Sequence, residues 1–495
     1  MSELIVTGGL LFDGSGASPR PADLRLADGR VAAIEPPGAL AEAAGPRLDA
    51  TEAWVAPGIV DIHTHYDLCL AWPGLTEHCL RQGITTVVGG NCGLGDADLA
   101  GVLARAEAAA LGVHFACLAP LGPLRSRVVP RGAGRAASPA ERPRVAAEVA
   151  RALDAGAAGV SWGPYHANGL MDADELEAAV AVAAARGKPL CVHRRSEGAG
   201  GLAATREAIA LAQATGARLQ ISHLKAAGRT HWGEFEPVLE CVEAARRGAD
   251  VGVDLYPYDA SLTYLSAVVP DRLKADGGLL AALASGEGRA AAARGVAAWF
   301  EARQGPEAIV LLEPSLAAVP PGTTLAEAAR RVGAADPVEA ALRLIAADPN
   351  GTGGWAIYRH MMAPEQVEHL LDLPFAAVAS DAVPEEDGLR ISAHPRAFAT
   401  FARFLARAAD RGQAALADAV RRCTRYPAER LGLDRGRLEV GAVADLVVLR
   451  GLTDPASFAE PERYPGGVAA VVTAGEVALR DGALTGAGRG AVLRP

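Results

Sequence analysis

Six residues that can ligate a metal ion follow short apolar runs of the sequence. In the run PGIVDIHTH, His63 and His65 stand two apart, so on a β-strand their side chains lie on the same face. Cys92 stands near the end of the run GITTVVGGNCG, between glycines. Imidazole, thiolate and carboxylate groups together make the ligand set expected for Zn²⁺. The candidate ligands, at the ends of five predicted strands, are His63, His65, Cys92, His193, His223 and Asp381.

Each candidate ligand also has a simpler structural explanation when it is taken alone. A single cysteine such as Cys92 is more often a core residue than a ligand. Single histidines are often hydrogen-bonded structural residues, and the Ser-Asp pair that contains Asp381 is equally typical of a helix cap. Because all the candidates fall at equivalent ends of predicted strands, one shared metal site is favoured over separate explanations. His166 lies in the loop after the fourth predicted strand, a position compatible with a substrate contact.

Eight short apolar runs alternate with helical stretches rich in Ala, Leu, Arg and Glu, which is the pattern of a parallel sheet. Eight such units close naturally into a (β/α)₈ barrel, an α/β fold whose active sites lie at the C-terminal ends of the strands. Every candidate ligand falls at such an end. The runs are PGIVDIHTH, GITTVVGGNCG, VHFACLAPLG, AAGVSWGP, KPLCVHRR, ARLQISHLK, ADVGVDLYPY and PFAAVASD.

The two ends of the chain predict a second, smaller unit. Residues 1–55 and 431–495 contain short β-rich segments and turns, and we expect them to form one small β-sandwich-like domain. The catalytic barrel is then predicted over residues 56–430. Residues 261–373 separate the seventh run from the eighth, where one helix would suffice, and an insertion of this length is usually functional. We expect it to be mostly helical and to lie over the barrel mouth.

The composition narrows the classes of partner. The chain has 495 residues, a formal net charge of −10 and no long run of one charge sign, which argues against a nucleic-acid partner. It has no run of 18 apolar residues and no secretory leader pattern, so we expect no membrane association. Seven cysteines without a CxxC pair are typical of a reducing compartment. We therefore expect a cytoplasmic protein with a small-molecule substrate, and the sequence is compatible with an oligomer.

Several motifs together resemble those of the N-acyl-D-amino-acid deacylases, or D-aminoacylases, of the amidohydrolase superfamily. The resemblance covers nearly the whole chain, and its GNCG and YPY motifs are not general features of the superfamily. It implies hydrolysis of the amide bond of N-acyl-D-amino acids to a carboxylic acid and a free D-amino acid. The motifs are VAPGIVDIHTHYD, RQGITTVVGGNCG, HRRSEG, ISHLKAAGRTHWG, DLYPYDA, SD followed by HPR, and GAVADLVVL.

The resemblance also explains the cysteine. Many binuclear amidohydrolases bridge two metals with a carboxylated lysine, but this chain has only three lysines, and none precedes Lys188. Cys92 matches the thiolate that ligates metal in the D-aminoacylases, so a Zn²⁺ cofactor is implied. Position by position, the tightly binding site comprises Cys92, His193 and His223, and a second, weaker site comprises His63, His65, Cys92 and Asp381.

The same resemblance implies roles for residues around the metal. Zinc polarises the scissile carbonyl and activates a water molecule. Asp381 is the general base towards that water and then the acid towards the departing amine. The residues that match the family's grip on the substrate carboxylate and carbonyl are Lys225, Tyr256 and Arg396.

Two other functions are compatible with the barrel. A hydrolase of cyclic amides, similar to dihydroorotases or hydantoinases, would share the HxH motif but generally depends on the lysine that this chain lacks. A non-catalytic scaffold of the same fold typically loses metal ligands, whereas every expected ligand is present here. The acyl group and the amino-acid side chain of the substrate stay open, because the sequence departs from the family near the pocket. The departures are Leu262, Ala382 and the loop GPYHANG (163–169).

Overall fold

The N-terminal part of the chain forms strands in the computed structural model, which describes residues 3–130, 133–164, 170–274, 278–385 and 387–495. Its first three strands pair as an antiparallel ribbon, and its fifth strand leads directly into the barrel. Numbered along the chain, these strands are β1 Glu3–Leu11, β2 Arg20–Ala27, β3 Arg30–Glu35, β4 Arg47–Asp49 and β5 Trp54–Pro57.

Each of the eight predicted runs contains a parallel strand of the barrel. The third run forms two short strands separated by Leu118. The first and last runs are joined by backbone hydrogen bonds from Asp381 to His63 and from His65 to Ala382, each 2.9 Å long. The ring is thereby closed, and the predicted (β/α)₈ barrel is confirmed. Its strands are β6 Ile59–Asp61, β7 Ile84–Gly89, β8 His114–Cys117 with β9 Ala119–Pro120, β10 Val160–Trp162, β11 Leu190–Val192, β12 Leu219–Ile221, β13 Val251–Leu255 and, after the insertion, β18 Ala376–Val378.

Helices connect the barrel strands and cover their outer faces. Asp98 and Asp172 cap two of these helices by accepting hydrogen bonds from backbone N–H groups of the first turn. No helix among the described residues is both long enough and apolar enough to cross a membrane. The helices of the barrel are α1 Leu75–Leu80, α2 Leu99–Ala108, α3 Leu121–Ser126, α4 Arg142–Asp154, α5 Ala173–Ala184, α6 Gly201–Thr215 and α7 Phe235–Arg246, followed after the insertion by α13 Pro364–Asp372, α14 Arg396–Asp410, α15 Gln413–Cys423 and α16 Arg425–Leu431.

Before the barrel helix α13, the described residues of the predicted insertion form five α-helices and, in addition, a four-stranded antiparallel sheet in the order β14-β17-β15-β16. It encloses its own apolar core. The backbone N–H of Gly228, in the loop after β12, donates to Met361 over 2.7 Å, and Thr230 donates to Ala302 over 2.8 Å. The insertion therefore packs against a loop at the C-terminal end of the barrel. Its elements are β14 Ser261–Tyr264, α8 Asp271–Lys274, α9 Leu279–Ala284, α10 Gly286–Ala302, β15 Ile309–Leu311, β16 Thr323–Thr324, α11 Leu325–Arg331, α12 Pro337–Ala347 and β17 Trp355–Tyr358.

The last strands of the chain complete the sheet that the first ones begin. The nine strands run in the order β22-β21-β20-β19-β5-β1-β2-β3, with β4 beside β1. Because β5 lies between β1 and β19, segments from both ends of the chain are hydrogen-bonded within one sheet. We propose residues 1–55 and 431–495 as the limits of this small domain. The C-terminal strands are β19 Leu446–Thr453, β20 Gly466–Thr473, β21 Glu476–Arg480 and β22 Ala483–Leu484.

Candidate metal centre

The candidate ligands converge at the C-terminal end of the barrel, and three of them have an unusual backbone conformation. The φ angle is 57° at Cys92, 34° at His223 and 48° at Asp381. Residues with a Cβ atom rarely adopt positive φ, and such residues concentrate at functional sites. The surrounding structure therefore holds these side chains in place against the local preference of the backbone.

The thiol of Cys92 lies between imidazole rings from different strands. Its Sγ atom is 3.3 Å from Nε2 of His63 and 3.6 Å from Nε2 of His223. His193 completes this group, with its Nδ1 atom 3.0 Å from Nε2 of His223. Ring nitrogens and a sulfur atom thus face one another, which is an arrangement that a cation bound among them would stabilise.

Two glycines allow the turn that carries Cys92 to pack closely against neighbouring strands. A Cβ atom at Gly90 would lie 2.3 Å from the carbonyl oxygen of Leu118, and φ at Gly90 is 72°. A Cβ atom at Gly93 would lie 2.8 Å from the backbone nitrogen of Gly163. Any larger residue at either position would displace the turn and with it the thiol.

Asp381 contacts the same ring nitrogen of His63 that the thiol of Cys92 contacts. Its Oδ1 atom is 3.4 Å from Nε2 of His63 and 3.5 Å from Nε2 of His65. Its Oδ2 atom is 2.8 Å from Nη1 of Arg396. One carboxylate oxygen therefore faces the histidines while the other is held by a guanidinium group.

These side chains form overlapping groups of three, within each of which the ligand atoms lie within 4.8 Å of one another. Cys92 belongs to two of the groups, as expected of a residue that serves one metal or bridges two. The donors are nitrogen, sulfur and carboxylate oxygen, which suit Zn²⁺. The residues present therefore fit the metal. The groups are His63 with His65 and Cys92, Cys92 with His193 and His223, and His63 with His223 and Asp381.

The electrostatics of the centre agree with a concentration of negative charge. Burial alone would raise the pKa of the Cys92 thiol, but the charge of His63 and hydrogen bonds from His193 and His223 outweigh it, so the pKa lies well below its usual range. The pKa of His63 is raised well above its usual value, because Cys92, Asp254 and Asp381 outweigh the effect of its burial. Without a metal, these charges favour a protonated His63 ring in the place of a cation.

Other cysteines provide an internal reference for Cys92. Cys69, Cys117 and Cys191 are also buried, and burial raises the pKa of each thiol. Cys92 is equally inaccessible, with a relative exposure of 3%, yet the pKa of its thiol shifts in the opposite direction. The difference comes from the histidines around Cys92, since they stabilise a thiolate.

The three predicted substrate-binding residues lie together. The guanidinium carbon of Arg396 is 4.7 Å from the centre of the Tyr256 ring, and Nζ of Lys225 is 5.8 Å from the same point. The hydroxyl group of Tyr256 is 3.3 Å from Oγ of Ser261. Nε of Arg396 is buried and has no hydrogen-bond partner among the described residues. The structure thus places two cations near the ring of one tyrosine, and one of them, Arg396, contacts Asp381.

Two carboxylates at the centre were not predicted from the sequence. Asp254, at the end of β13, lies 3.1 Å from Nδ1 of His63 and accepts a hydrogen bond of 2.8 Å from the backbone of His223. Glu197 lies 2.8 Å from Nδ1 of His223. A signal for each is present in the sequence, since Asp254 interrupts an apolar strand and Glu197 belongs to the motif HRRSEG.

The departures from the family motifs have different surroundings. Leu262 is buried and lies in register with Ile357 on the small sheet of the insertion. The carbonyl oxygen of Ala382 accepts the barrel-closing hydrogen bond from His65, so its backbone helps to position a candidate ligand. His166 and most of the loop 163–169 lie outside the described residues.

The chain is similar to proteins of one family along its whole length. A model described as the amidohydrolase family matches residues 113–479. An N-acyl-D-glutamate deacylase of Alcaligenes xylosoxydans xylosoxydans is 34% identical, over 96% of this chain and 93% of that protein. A D-aminoacylase of the same organism is 31% identical, over 99% and 97%. The crystal structure of an N-acyl-D-glutamate deacylase from Bordetella bronchiseptica, complexed with zinc and a phosphonate mimic of the tetrahedral intermediate, superimposes with a TM-score of 0.82 at 30% identity over 99% of both chains.

Proposed function

We propose that this chain depends on zinc and releases free D-amino acids. It belongs to the N-acyl-D-amino-acid deacylase family of amidohydrolases, and it hydrolyses amide bonds of N-acyl amino acids. The observation that carries the proposal is the position of Cys92 Sγ, 3.3 Å from His63 and 3.6 Å from His223, next to Asp381. A scaffold without activity would not require this thiol to lie among buried imidazoles in a strained turn. The full-length similarity to deacylases of linear substrates favours a linear amide over a cyclic one.

The protein's own residues supply the proton transfers of the proposed reaction. Cys92, His193 and His223 would hold zinc, with His63 and His65 available for a second position, and the bound metal would supply Lewis-acid polarisation and activation of water. Asp381 accepts the proton of the attacking water and delivers it to the departing amine. The pKa of Asp381 lies well below its usual value, because Arg396 and His63 outweigh the effect of burial, so the carboxylate starts the reaction ionised.

The cations near Tyr256 explain how a substrate would be oriented. Lys225 and Arg396 provide N–H donors for the α-carboxylate, and an arginine fork suits a carboxylate well. The Tyr256 hydroxyl can donate a hydrogen bond to the oxyanion that develops on the scissile carbonyl. With the carboxylate held at one point and the carbonyl at another, only one configuration at Cα directs the acyl group towards Asp381.

The proposal is tested by comparing N-acetyl-D-amino acids with their L-enantiomers, using protein freed of metal and then supplied with Zn²⁺. We expect hydrolysis of the D-series only, and only after zinc is added. A preference for the L-series would overturn the stereochemical assignment, and full activity without metal would overturn the zinc requirement. A hydantoin measured in parallel tests the linear amide, since faster opening of the ring would favour a cyclic-amide hydrolase.

The assignment of Asp381 has its own test in the Asp381→Asn variant. The amide keeps the size of the side chain but cannot take the proton of water, so we expect kcat to fall by about 10²–10⁴-fold. Zinc content, measured by atomic absorption, should stay near that of the unaltered protein. An active Asn variant would refute the role of Asp381 as the general base.

A further inference from the structure

Glu197 contacts both the metal side and the substrate side of the proposed site. Its Oε1 atom is 2.7 Å from Nζ of Lys225 and 2.8 Å from Nδ1 of His223. Nζ of Lys225 and Nδ1 of His223 are themselves 2.9 Å apart. The three groups are enclosed, since the side chain of Glu197 is 18% exposed and those of its two partners are each 4% exposed.

This arrangement decides which ring nitrogen of His223 carries hydrogen. A lysine ammonium group has only donors, so Lys225 alone beside Nδ1 would favour an unprotonated Nδ1 that accepts its hydrogen bond. The hydrogen of a neutral ring would then lie on Nε2, which faces Cys92 and His193. A ring in that form cannot ligate a metal through Nε2.

Glu197 reverses this preference. A carboxylate accepts a hydrogen bond from Nδ1–H, and Nε2 of His223 then presents its lone pair towards Cys92. The same oxygen accepts from the ammonium group of Lys225, so both donors have an acceptor and do not oppose each other. The backbone also connects these segments, because the carbonyl oxygen of Glu197 accepts a hydrogen bond of 2.6 Å from Ala227, two residues beyond Lys225.

We propose that Glu197 is a positioning residue of this site. It keeps His223 in the tautomer that leaves Nε2 free for the metal, and it holds the ammonium group of Lys225 beside Tyr256 for the substrate carboxylate. The second role rests on the proposed function, whereas the first concerns metal binding and is independent of any substrate.

The test compares Glu197→Gln with two other variants. Glu197→Gln keeps the size of the side chain and removes its charge. Lys225→Met removes the ammonium group but leaves Glu197 on His223. Glu207→Gln is the matched control. Glu207 lies on the neighbouring helix α6, forms an ion pair of 2.8 Å with Arg195, and contacts neither His223 nor Lys225.

Zinc affinity, measured by competition with a chromophoric chelator, tests the role of Glu197 in fixing the tautomer of His223. This measurement needs no substrate. We expect Glu197→Gln to bind zinc about 10–100-fold more weakly, as for other residues that orient a metal-bound histidine. Lys225→Met and Glu207→Gln should bind zinc as the unaltered protein does. Unchanged affinity in Glu197→Gln, with circular dichroism showing a folded protein, would overturn this role.

The KM for an N-acetyl-D-amino acid at saturating zinc tests the second role of Glu197, which is to hold Lys225 in place for the substrate carboxylate. We expect KM to rise on the order of 10-fold in both Glu197→Gln and Lys225→Met, because each loses a charged hydrogen bond that holds the carboxylate. Glu207→Gln should keep the KM of the unaltered protein. An unchanged KM in Glu197→Gln would overturn the second role. If the unaltered protein hydrolyses none of these substrates, the proposed function fails, and the zinc titration alone decides the role of Glu197.

Discussion

The barrel contains a buried histidine–aspartate pair at each of its two ends. At the C-terminal end, Nδ1 of His63 lies 3.1 Å from Asp254. At the N-terminal end, Nε2 of His114, the first residue of β8, lies 3.0 Å from Asp445, just before β19. Both histidines are at most 1% exposed. The two pairs are therefore nearly equal in composition, distance and burial.

The two pairs differ in what faces the second ring nitrogen. Nδ1 of His114 accepts a hydrogen bond of 3.1 Å from the backbone of Ala491, so that ring is satisfied by the protein. Nε2 of His63 faces Sγ of Cys92 at 3.3 Å and Oδ1 of Asp381 at 3.4 Å, which are both acceptors once ionised. The pair at the N-terminal end is complete without a ligand, whereas the pair at the C-terminal end has a place for a cation. This difference follows the general division of such barrels into a functional C-terminal face and a structural N-terminal face.

Removing the thiol tests the comparison most severely. Cys92→Ala removes a ligand that two donor groups share, so we expect zinc to be lost and kcat/KM to fall by more than the roughly 10–100-fold that outer residues cost. Cys117→Ala, a buried cysteine on β8, is the control and should keep both zinc and activity. Atomic absorption and a deacylase assay measure the two quantities. Full zinc content in Cys92→Ala would show that Cys92 is only a core residue.

Replacing Asp254, the aspartate at the C-terminal end, should weaken metal binding more than it lowers the stability of the fold. Asp254→Asn weakens the hydrogen bond that orients His63, and we expect zinc affinity or activity to fall by about 10–100-fold. Chelator competition and steady-state kinetics measure these changes. Should Asp254→Asn lower only the stability of the protein, the contrast between the two pairs would be lost.

The aspartate at the N-terminal end should show the opposite pattern. Asp445→Asn leaves buried donors around His114 and Arg435 without a charged acceptor, so we expect the free energy of unfolding to fall by about 1–3 kcal/mol. Zinc content and KM should not change. Denaturant unfolding provides the measurement, and a loss of zinc without a loss of stability would contradict the structural role.

A third buried histidine sharpens the comparison, because it has no carboxylate partner among the described residues. His78 lies 3.0 Å from the hydroxyl groups of Tyr66 and Tyr464, and burial lowers the pKa of its ring to about 3. An unfolded chain has a histidine pKa of about 6.5, so between these values the unfolded state binds more protons and the folded state loses stability as pH falls. The loss from pH 6.5 to pH 5 should be about 2 kcal/mol.

The variant His78→Gln keeps a hydrogen-bonding side chain but cannot titrate. We expect its free energy of unfolding to change less between pH 7 and pH 5 than that of the unaltered protein, by up to about 2 kcal/mol. Denaturant unfolding at both pH values measures the difference. An identical pH dependence in the two proteins would show that His78 does not remain neutral in the folded state.

The barrel was predictable because its strands are short apolar runs separated by amphipathic helices. The ligand types were visible for a similar reason: His63 and His65 share strand parity, and Cys92 and Asp381 each follow an apolar run. The small sheet of the insertion was not predicted, because strands of two to four residues carry too little alternation to identify. The predicted site roles of Lys225 and Arg396 remain predictions, and the Lys225→Met variant tests the role of Lys225.

The sequence by itself determined the number of βα units, the side chains at their C-terminal ends and the absence of a lysine that could replace Cys92 early in the chain. These features are local, since periodicity and residue type suffice to read them. Only the tertiary structure decided that His63 faces Cys92 and Asp381 while His114 is satisfied by a backbone amide, and that Glu197 stands between His223 and Lys225. These contacts join residues that are far apart in the chain. Which group faces the second ring nitrogen of a histidine depends on which strands lie next to each other in the closed barrel.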